Sequence, residues 1–286
     1  MSATGCFLLL ALAVTVQDPQ PFQIVKVAGG FRSADGPLWN PEGYLMATDP
    51  PAGRLRRLKA GVVPETALET SAAGIAFDHR HRLILCDPVK RQVLRWDGKG
   101  RPEVLASQFE GKKLNSPNDV VTRGDLIFFT DPAFGSAAGS RELPFHGVYR
   151  LTSKGELTVL AKWEKRPNGI ALSPNGRILY VAASDERAVR AYDLDRSGMA
   201  TNERLLITGI RGVPNGLAVD ENGSIYVACE GVAIYSPEGK QLRFIEIGDP
   251  PTNLAFGDAD YKSLYVSARS GVYRIRVEVR GAEAKE

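Results

Sequence analysis

Short apolar segments alternate with polar turns through most of the chain. One pattern recurs: a small or amide residue, an apolar strand, a polar turn and a second apolar strand. It occurs at 34–49, 72–87, 117–131, 167–185, 214–229 and 252–268. The second residues of the copies, which are 38, 45, 50, 47 and 38 residues apart, are Asp35, Ala73, Asn118, Asn168, Asn215 and Asn253. Units of this length built from short strands are typical of β-propeller blades.

A third apolar segment follows each copy, and a fourth follows most of them. The third segments read GRLRRLK, RQVLRWD, HGVYRLT, RAVRAYDL, GVAIYS and GVYRIRV. The sixth unit has no clear fourth strand after Arg280, whereas 21–29 (PFQIVKVAG) can supply one and close the ring without an exposed sheet edge. We therefore predict an all-β fold, a six-bladed β-propeller closed by an N-terminal strand, as a single domain over 21–280. The stretch 184–194 could also form a capped helix, but its place in the repeat favours a strand.

The first segment is predicted to lie outside this fold. The run 6–16 (CFLLLALAVTV) is apolar, has the length of a signal-peptide core and is too short to cross a bilayer unaided. Ala11 and Ala13 fit an A-x-A cleavage pattern, although no Lys or Arg precedes the run. We interpret 1–16 as a signal peptide and expect an exported protein, periplasmic or extracellular, without a stable membrane span. An uncleaved membrane anchor is the alternative.

Charge and cysteine content exclude several function classes. Lys and Arg number 36 against 33 Asp and Glu, interspersed along the chain, so the net charge of +3 gives no reason to expect a nucleic-acid partner. Cys86 and Cys229 each end an apolar strand and no C-x-x-C motif occurs, so we expect two buried free thiols. The chain also lacks G-x-S-x-G, H-E-x-x-H, G-x-G-x-x-G and P-loop motifs.

The repeat assigns polar residues to one end of the propeller, here called the upper face, where the innermost strand of each blade begins. The mouth of the central channel on that face is expected to be surrounded by Asp35, Asn118, Asn168, Asn215 and Asn253. Carboxylate and amide oxygens without imidazole or thiolate suit Ca²⁺ or another hard divalent cation. The sequence therefore predicts a cation site there, with the long connection 132–146 beside it.

Several short motifs occur in a fixed order along the repeat. They are Asp35-Gly36-Pro37, Ser116-Pro117-Asn118-Asp119, Phe129-Thr130-Asp131-Pro132, Arg166-Pro167-Asn168-Gly169, Pro214-Asn215-Gly216 and Pro251-Thr252-Asn253. As an ordered set, spanning roughly 30–277, the motifs resemble the gluconolactonase and senescence-marker-protein (regucalcin-like) family of six-bladed propellers.

The resemblance implies a Ca²⁺-dependent hydrolase of lactones or esters. Its ion would be held by Asp35, Asn168 and Asn215, with Asn118 at the ion or the substrate. Asp35 stands where the family usually has Glu, and Asn215 where it usually has the Asp that is both ligand and acid/base. Because an amide cannot accept a proton at neutral pH, Asp119 is the candidate catalytic base. The alternative is that Asp119 orients the asparagine ligands.

Three residues near the mouth are candidates for substrate contact: Ser116, Asn118 and His146. The leading hypothesis is an exported, Ca²⁺-dependent hydrolase of a small sugar lactone or related ester. A propeller with little or no catalysis that binds a small ligand over its metal ion is the second hypothesis, and a scaffold without metal is the third. One carboxylate among neutral amides predicts weak Ca²⁺ binding, with Kd on the order of 10⁻⁴–10⁻³ M.

Overall fold

A computed structural model describes residues 22–59 and 62–282. The segment 1–16 lies outside the described residues, so its interpretation as a signal peptide stays a prediction. Within the described ranges no helix is long and apolar enough to cross a membrane. Both cysteines in these ranges, Cys86 and Cys229, are buried and unpaired, as expected.

Six four-stranded antiparallel sheets form the blades of a propeller, which confirms the predicted fold class. Blade 1 contains β2 (Asp35–Asn40), β3 (Tyr44–Asp49), β4 (Arg54–Leu58) and β5 (Glu65–Glu69). Blade 2 contains β6 (Ile75–Phe77), β7 (Leu83–Asp87), β8 (Gln92–Trp96) and β9 (Glu103–Ala106). Blade 3 contains β12 (Val120–Arg123), β13 (Leu126–Asp131), β14 (His146–Thr152) and β15 (Leu157–Trp163).

The remaining blades follow the same order along the chain. Blade 4 contains β16 (Pro167–Leu172), β17 (Ile178–Ala183), β18 (Ala188–Leu194) and β19 (Ala200–Ile207). Blade 5 contains β20 (Leu217–Val219), β21 (Ile225–Ala228), β22 (Val232–Tyr235) and β23 (Gln241–Ile245). Blade 6 contains β24 (Pro251–Gly257), β25 (Ser263–Ala268), β26 (Gly271–Arg276) and β1 (Ile24–Gly29). A hairpin of β10 (Gln108–Phe109) and β11 (Lys112–Lys113) lies between blades 2 and 3, and short 3₁₀ helices span Pro50–Ala52, Gly135–Ala138 and Ser184–Glu186.

The ring is closed by the N-terminal strand, as predicted. Strand β1 pairs antiparallel with β26 as the outermost strand of blade 6, with Ile24 opposite Ile275 and Gly29 opposite Gly271. The ambiguous stretch 184–194 forms one 3₁₀ turn and then strand β18, so the repeat was the correct guide there.

Apolar side chains are packed between neighbouring blades rather than within one central core. Six hydrophobic clusters occupy the six junctions; the one between blades 6 and 1 includes Leu45 and Tyr265, and Trp39 stacks on Tyr265 with ring centroids 5.8 Å apart. The second strands β3, β7 and β25 are buried at every residue, because both of their faces contact other blades. This explains why they read as continuous apolar runs instead of alternating ones. The innermost strands β2, β6, β12, β16, β20 and β24 contact one another in sequence and form the channel wall.

Candidate functional site

Backbone hydrogen bonds between neighbouring first strands define which residues are equivalent around the mouth. The N–H groups of Gly74, Gly169 and Gly216 donate to the carbonyls of Asn118 (2.7 Å), Asn215 (3.0 Å) and Thr252 (2.9 Å) respectively. Thr252 therefore occupies in blade 6 the place that Asn118 and Asn215 occupy in blades 3 and 5. The expectation that placed Asn253 there was wrong by one residue. In Pro251-Thr252-Asn253 the asparagine lies one position later than in the Pro-Asn-Gly motifs of blades 4 and 5. Alignment of the prolines, rather than the asparagines, gives the observed register.

Two stacked rings of residues follow from this register. The upper ring consists of Asp35, Ala73, Asn118, Asn168, Asn215 and Thr252, and the lower ring of Gly36, Gly74, Asp119, Gly169, Gly216 and Asn253. Four lower-ring positions are glycine, and two of them show why. A Cβ atom at Gly74 would collide with Asp119 Oδ1, and one at Gly216 would collide with Asn253 Oδ1. The missing side chains leave room for the acid and the amide.

Asp119 and Asn253 meet in the lower ring. Asn253 Nδ2 donates to Asp119 Oδ1 at 3.3 Å, and the backbone N–H of Ile170 donates to Asp119 Oδ2 at 3.1 Å. The Asn253 side chain also hydrogen-bonds Asp35, whose Oδ1 accepts the N–H of Gly36 at 2.8 Å. Nothing in the local motif around Asn253 indicates this bridging role, so the contact that joins the two acids was not predicted.

The two carboxyl groups of the site, Asp35 and Asp119, are both harder to ionise than usual. Burial and the nearby Asp35 carboxylate raise the pKa of Asp119 to about 7. Burial likewise raises the pKa of Asp35, against hydrogen bonds from Gly36 and Asn253 that lower it. Neither carboxyl forms an ion pair with a Lys, Arg or His in the described part of the chain. A bound cation would favour the charged form of both groups.

Uncommitted amide oxygens lie in the upper ring. Asn168 Nδ2 donates to Ser184 Oγ at 3.0 Å, which leaves its Oδ1 as a free acceptor. The side chains of Asn118 and Asn215 make no hydrogen bond to another group of the described ranges. No cluster of three or more His, Cys, Asp or Glu able to hold a metal occurs in those ranges, so a cation at the mouth depends on these amides and Asp35. Hard oxygen donors of this kind fit Ca²⁺.

Ser116 contacts the start of the connection 132–146 over blade 3, and His146 ends this connection. The Ser116 hydroxyl donates to the carbonyl of Pro132 at 2.5 Å and accepts the N–H of Phe134 at 3.1 Å. His146 Nδ1 accepts the N–H of Ala133 at 3.0 Å, and burial together with Arg141 lowers the His146 pKa to about 4. Both side chains are nearly fully buried and hold the connection in place. Their contact with substrate stays a prediction.

Below the lower ring the channel widens into a cavity of about 450 Å³. Trp39, Phe77 and Phe256 line it toward the lower face, while Asp119 and Asn253 form its inner end. Asp119 and Asn253 therefore lie between this cavity and the upper mouth of the channel, which is surrounded by the upper ring.

Fold and site together define a six-bladed β-propeller with an oxygen-rich site at one mouth of its channel. The sequence profile of the SMP-30/gluconolactonase/LRE-like region matches residues 33–270, and the chain belongs to this family. It is 29% identical to a gluconolactonase of Zymomonas mobilis, over 90% of this chain and 82% of that protein.

Solved structures agree with this assignment. A gluconolactonase from Xanthomonas campestris superposes with a TM-score of 0.83 at 27% identity, covering 90% of each chain. A calcium-binding protein, regucalcin, from Agrobacterium tumefaciens has the same fold, with a TM-score of 0.78 at 20% identity over 93% of this chain and 98% of that one.

Proposed function

We propose that this protein is a lactonase that hydrolyses a small sugar lactone with Ca²⁺, or another divalent cation, bound at the upper ring. The observation that carries the proposal is the position of Asp119: a buried acid with a pKa of about 7, beside Asp35 and one residue from the uncommitted amide of Asn118. The similarity to gluconolactonases from two bacteria supports a lactone as the substrate class.

Asp35, Asn168 and Asn215 would hold the ion, with Asn118 at the ion or the substrate. When bound, the ion supplies Lewis-acid polarisation of the ester carbonyl. The free Oδ1 of Asn168 and the unbonded amides of Asn118 and Asn215 are suited to this role, because none is committed to another group of the described chain.

Asp119 serves as the base in this proposal. A general base must be in its charged form to accept a proton; burial next to Asp35 raises the Asp119 pKa to about 7 in the protein without the ion, and a bound cation would favour the charged, basic form. Its Oδ1 and Oδ2 are held by Asn253 and by the N–H of Ile170, so the carboxyl is fixed in orientation. Asn215 cannot take this proton, since an amide is not basic at neutral pH.

The test is hydrolysis of a panel of aldonolactones, followed by acid release with a pH indicator, in Ca²⁺ and in chelator. We expect activity in Ca²⁺ that chelator removes, and a loss of about 10²-fold or more in Asp119→Asn. Asp260→Asn, the same change at an exposed Asp paired with Arg276, is the matched control and should retain activity. Binding of Ca²⁺ without hydrolysis of any lactone would instead favour the ligand-binding propeller.

A further inference from the structure

Carboxylates at or just after the ends of second strands accept hydrogen bonds from the backbone just before the upper-ring residues. In three blades the acid accepts an N–H from a residue two or three positions ahead of the ring residue. The pairs are Asp49 with Arg32 (3.1 Å) and Ser33 (3.2 Å), Asp131 with Asn115 (2.8 Å), and Asp185 with Arg166 (3.0 Å). These three blades carry Asp35, Asn118 and Asn168, the ring residues with polar side chains in the first four blades.

Asp131 differs from the other two acids in its surroundings. Asp49 pairs with Arg56 at 3.4 Å, and Asp185 pairs with Arg166. Asp131 has no ion-pair partner in the described ranges, is fully buried, and leaves Oδ1 without a hydrogen bond. Burying a carboxylate in this way is unfavourable for folding. Stability alone therefore does not account for an acid at this position.

The segment that Asp131 holds carries both Asn118 and Asp119. Asn115 donates its backbone N–H to Asp131 Oδ2 and its Nδ2 to the carbonyl of Asp131 at 3.0 Å. Further along, the N–H of Asn118 donates to the carbonyl of Thr130 at 2.9 Å, and the N–H of Asp119 to Thr130 Oγ1 at 3.2 Å. These bonds attach the segment 115–119 to the end of β13, and the Asp131 carboxylate holds Asn115, the first residue of the segment.

We propose that Asp131 is a positioning residue of the site, which accepts the N–H of Asn115 and thereby fixes the segment 115–119 so that Asn118 and Asp119 face the channel. The effect on the ion rests on the proposed function, whereas the effect on the segment does not. Groups that orient metal ligands from behind typically affect metal affinity by 10- to 100-fold.

Blade 2 offers a matched control. Asp87 ends β7 as Asp131 ends β13, and it is equally buried. Its carboxylate accepts from Thr70 Oγ1 at 3.2 Å, and the upper-ring residue of that blade is Ala73, which has no ligand atom. Removing Asp87 should therefore disturb a blade without disturbing the site.

The experiment compares Asp131→Ala, Asp131→Asn and Asp87→Ala with the unmodified protein. Isothermal titration should show Ca²⁺ bound about 10-fold more weakly by Asp131→Ala, with most of the loss restored in Asp131→Asn, whose amide oxygen still accepts an N–H. Asp87→Ala should lower the Tm yet bind Ca²⁺ normally. If Asp131→Ala does not fold, Asp131→Ser, whose hydroxyl is too short to reach Asn115, replaces it.

Hydrogen exchange of a peptide covering 115–119 gives a readout that needs neither metal nor substrate. Exchange should accelerate in Asp131→Ala and not in Asp87→Ala. Unchanged exchange and affinity in Asp131→Ala, equal losses in both alanine variants, or no rescue by asparagine would each overturn the proposal. A protein that binds no Ca²⁺, or binds it without hydrolysing lactones, would contradict the proposed function while the exchange comparison still decides on Asp131.

Discussion

Asn253 Nδ2 donates a hydrogen bond to Asp119 Oδ1 and so joins blade 6 to blade 3 across the channel. In a ring of six blades these two are opposite each other, and the pair spans the axis. The amide that contacts the buried acid thus comes from the far wall, while the backbone N–H on its other oxygen comes from the neighbouring blade.

A methyl group at Gly216 should disrupt this pair. The Cβ of Gly216→Ala would overlap Asn253 Oδ1, so the amide must move away from Asp119. We expect a loss of about 1–3 kcal/mol in the free energy of unfolding, typical of overpacking, together with lower lactonase activity. Gly29→Ala is the control, because its Cβ would meet Lys26 Cε at 3.6 Å and Ser270 O at 4.0 Å, which are ordinary contact distances. Urea denaturation measures both, and equal stability of the two variants would contradict the prediction.

Removing the carboxylate of the upper ring should abolish the response to Ca²⁺. Millimolar Ca²⁺ should raise the Tm of the unmodified protein, because a ligand that binds only the folded state stabilises it. Asp35→Ala should fold and lose this increase. Asp260→Ala, which removes an exposed acid in the turn between β24 and β25, should keep this increase. Differential scanning calorimetry with and without Ca²⁺ decides the matter, and an undiminished shift in Asp35→Ala would remove Asp35 from the site.

A carboxylate in place of Asn215, where the family resemblance implies an Asp, should strengthen the proposed site. Asn215→Asp places a negative charge beside the proposed ion and adds a group able to accept a proton. We expect tighter Ca²⁺ binding and faster lactone hydrolysis, by up to ~10²-fold if the substrate still fits. Asn222→Asp adds the same charge at an exposed turn of blade 5 and should change neither quantity. No effect of Asn215→Asp on either would mean that Asn215 does not face the ion.

Asp131, a buried acid of blade 3, should change how the free energy of unfolding depends on pH. Burial raises the pKa of Asp131 from 3.8 to about 7, against hydrogen bonds from Asn115 and Ser116 and the charge of Arg91. The folded chain therefore binds this proton more tightly than the unfolded chain. This tighter proton binding by Asp131 stabilises the fold fully below about pH 4, and the stabilisation is lost as the pH rises through about 7.

Asp131→Asn cannot titrate, so its stability should decline less over this range. One pKa unit corresponds to about 1.4 kcal/mol, so between about pH 4 and pH 7 the free energy of unfolding of the unmodified protein should fall by on the order of 1–4 kcal/mol more than that of the variant. Urea denaturation at several pH values in chelator measures it, and parallel profiles for the two proteins would refute the assignment.

The start of the mature chain is the fifth prediction. If the apolar run 6–16 is a signal peptide, the protein isolated from its native host should begin between about residue 14 and residue 20 and be found outside the cytoplasm. Mass spectrometry of the N-terminus tests this. A chain that retains Met1 or Ser2 in the soluble cytoplasmic fraction would exclude cleavage.

The fold could be predicted because the repeat is visible in the sequence. Each blade places a buried second strand between its neighbours, so the same apolar run recurs at blade length. The closing role of 21–29 followed from the sixth unit, which lacked a fourth strand. The hairpin of β10 and β11 was not predicted, since strands of two residues leave no periodic signal.

The site could be predicted only in part. The position of a polar ring follows from the repeat, but the contact of Asp119 with Asn253 joins residues 134 positions apart and depends on how the ring closes. In the motif Pro251-Thr252-Asn253 it is the proline, not the asparagine, that aligns with the motifs of the other blades. For Ser116, the sequence could not show that its hydroxyl is used by the backbone of Pro132 and Phe134.

The pairing of β1 with β26 also determines when the molecule can be completed. Ile24 in β1 is synthesised before the other described strands and Ile275 in β26 after them, so a nascent chain holds five possible blades before the sixth can acquire its outer strand. Joining such distant segments is slow, because the entropy of a long loop is lost before the contact forms. A chain that ends before Gly271 would have no partner for β1 and would expose an unpaired strand edge, which favours aggregation or proteolysis over a smaller propeller.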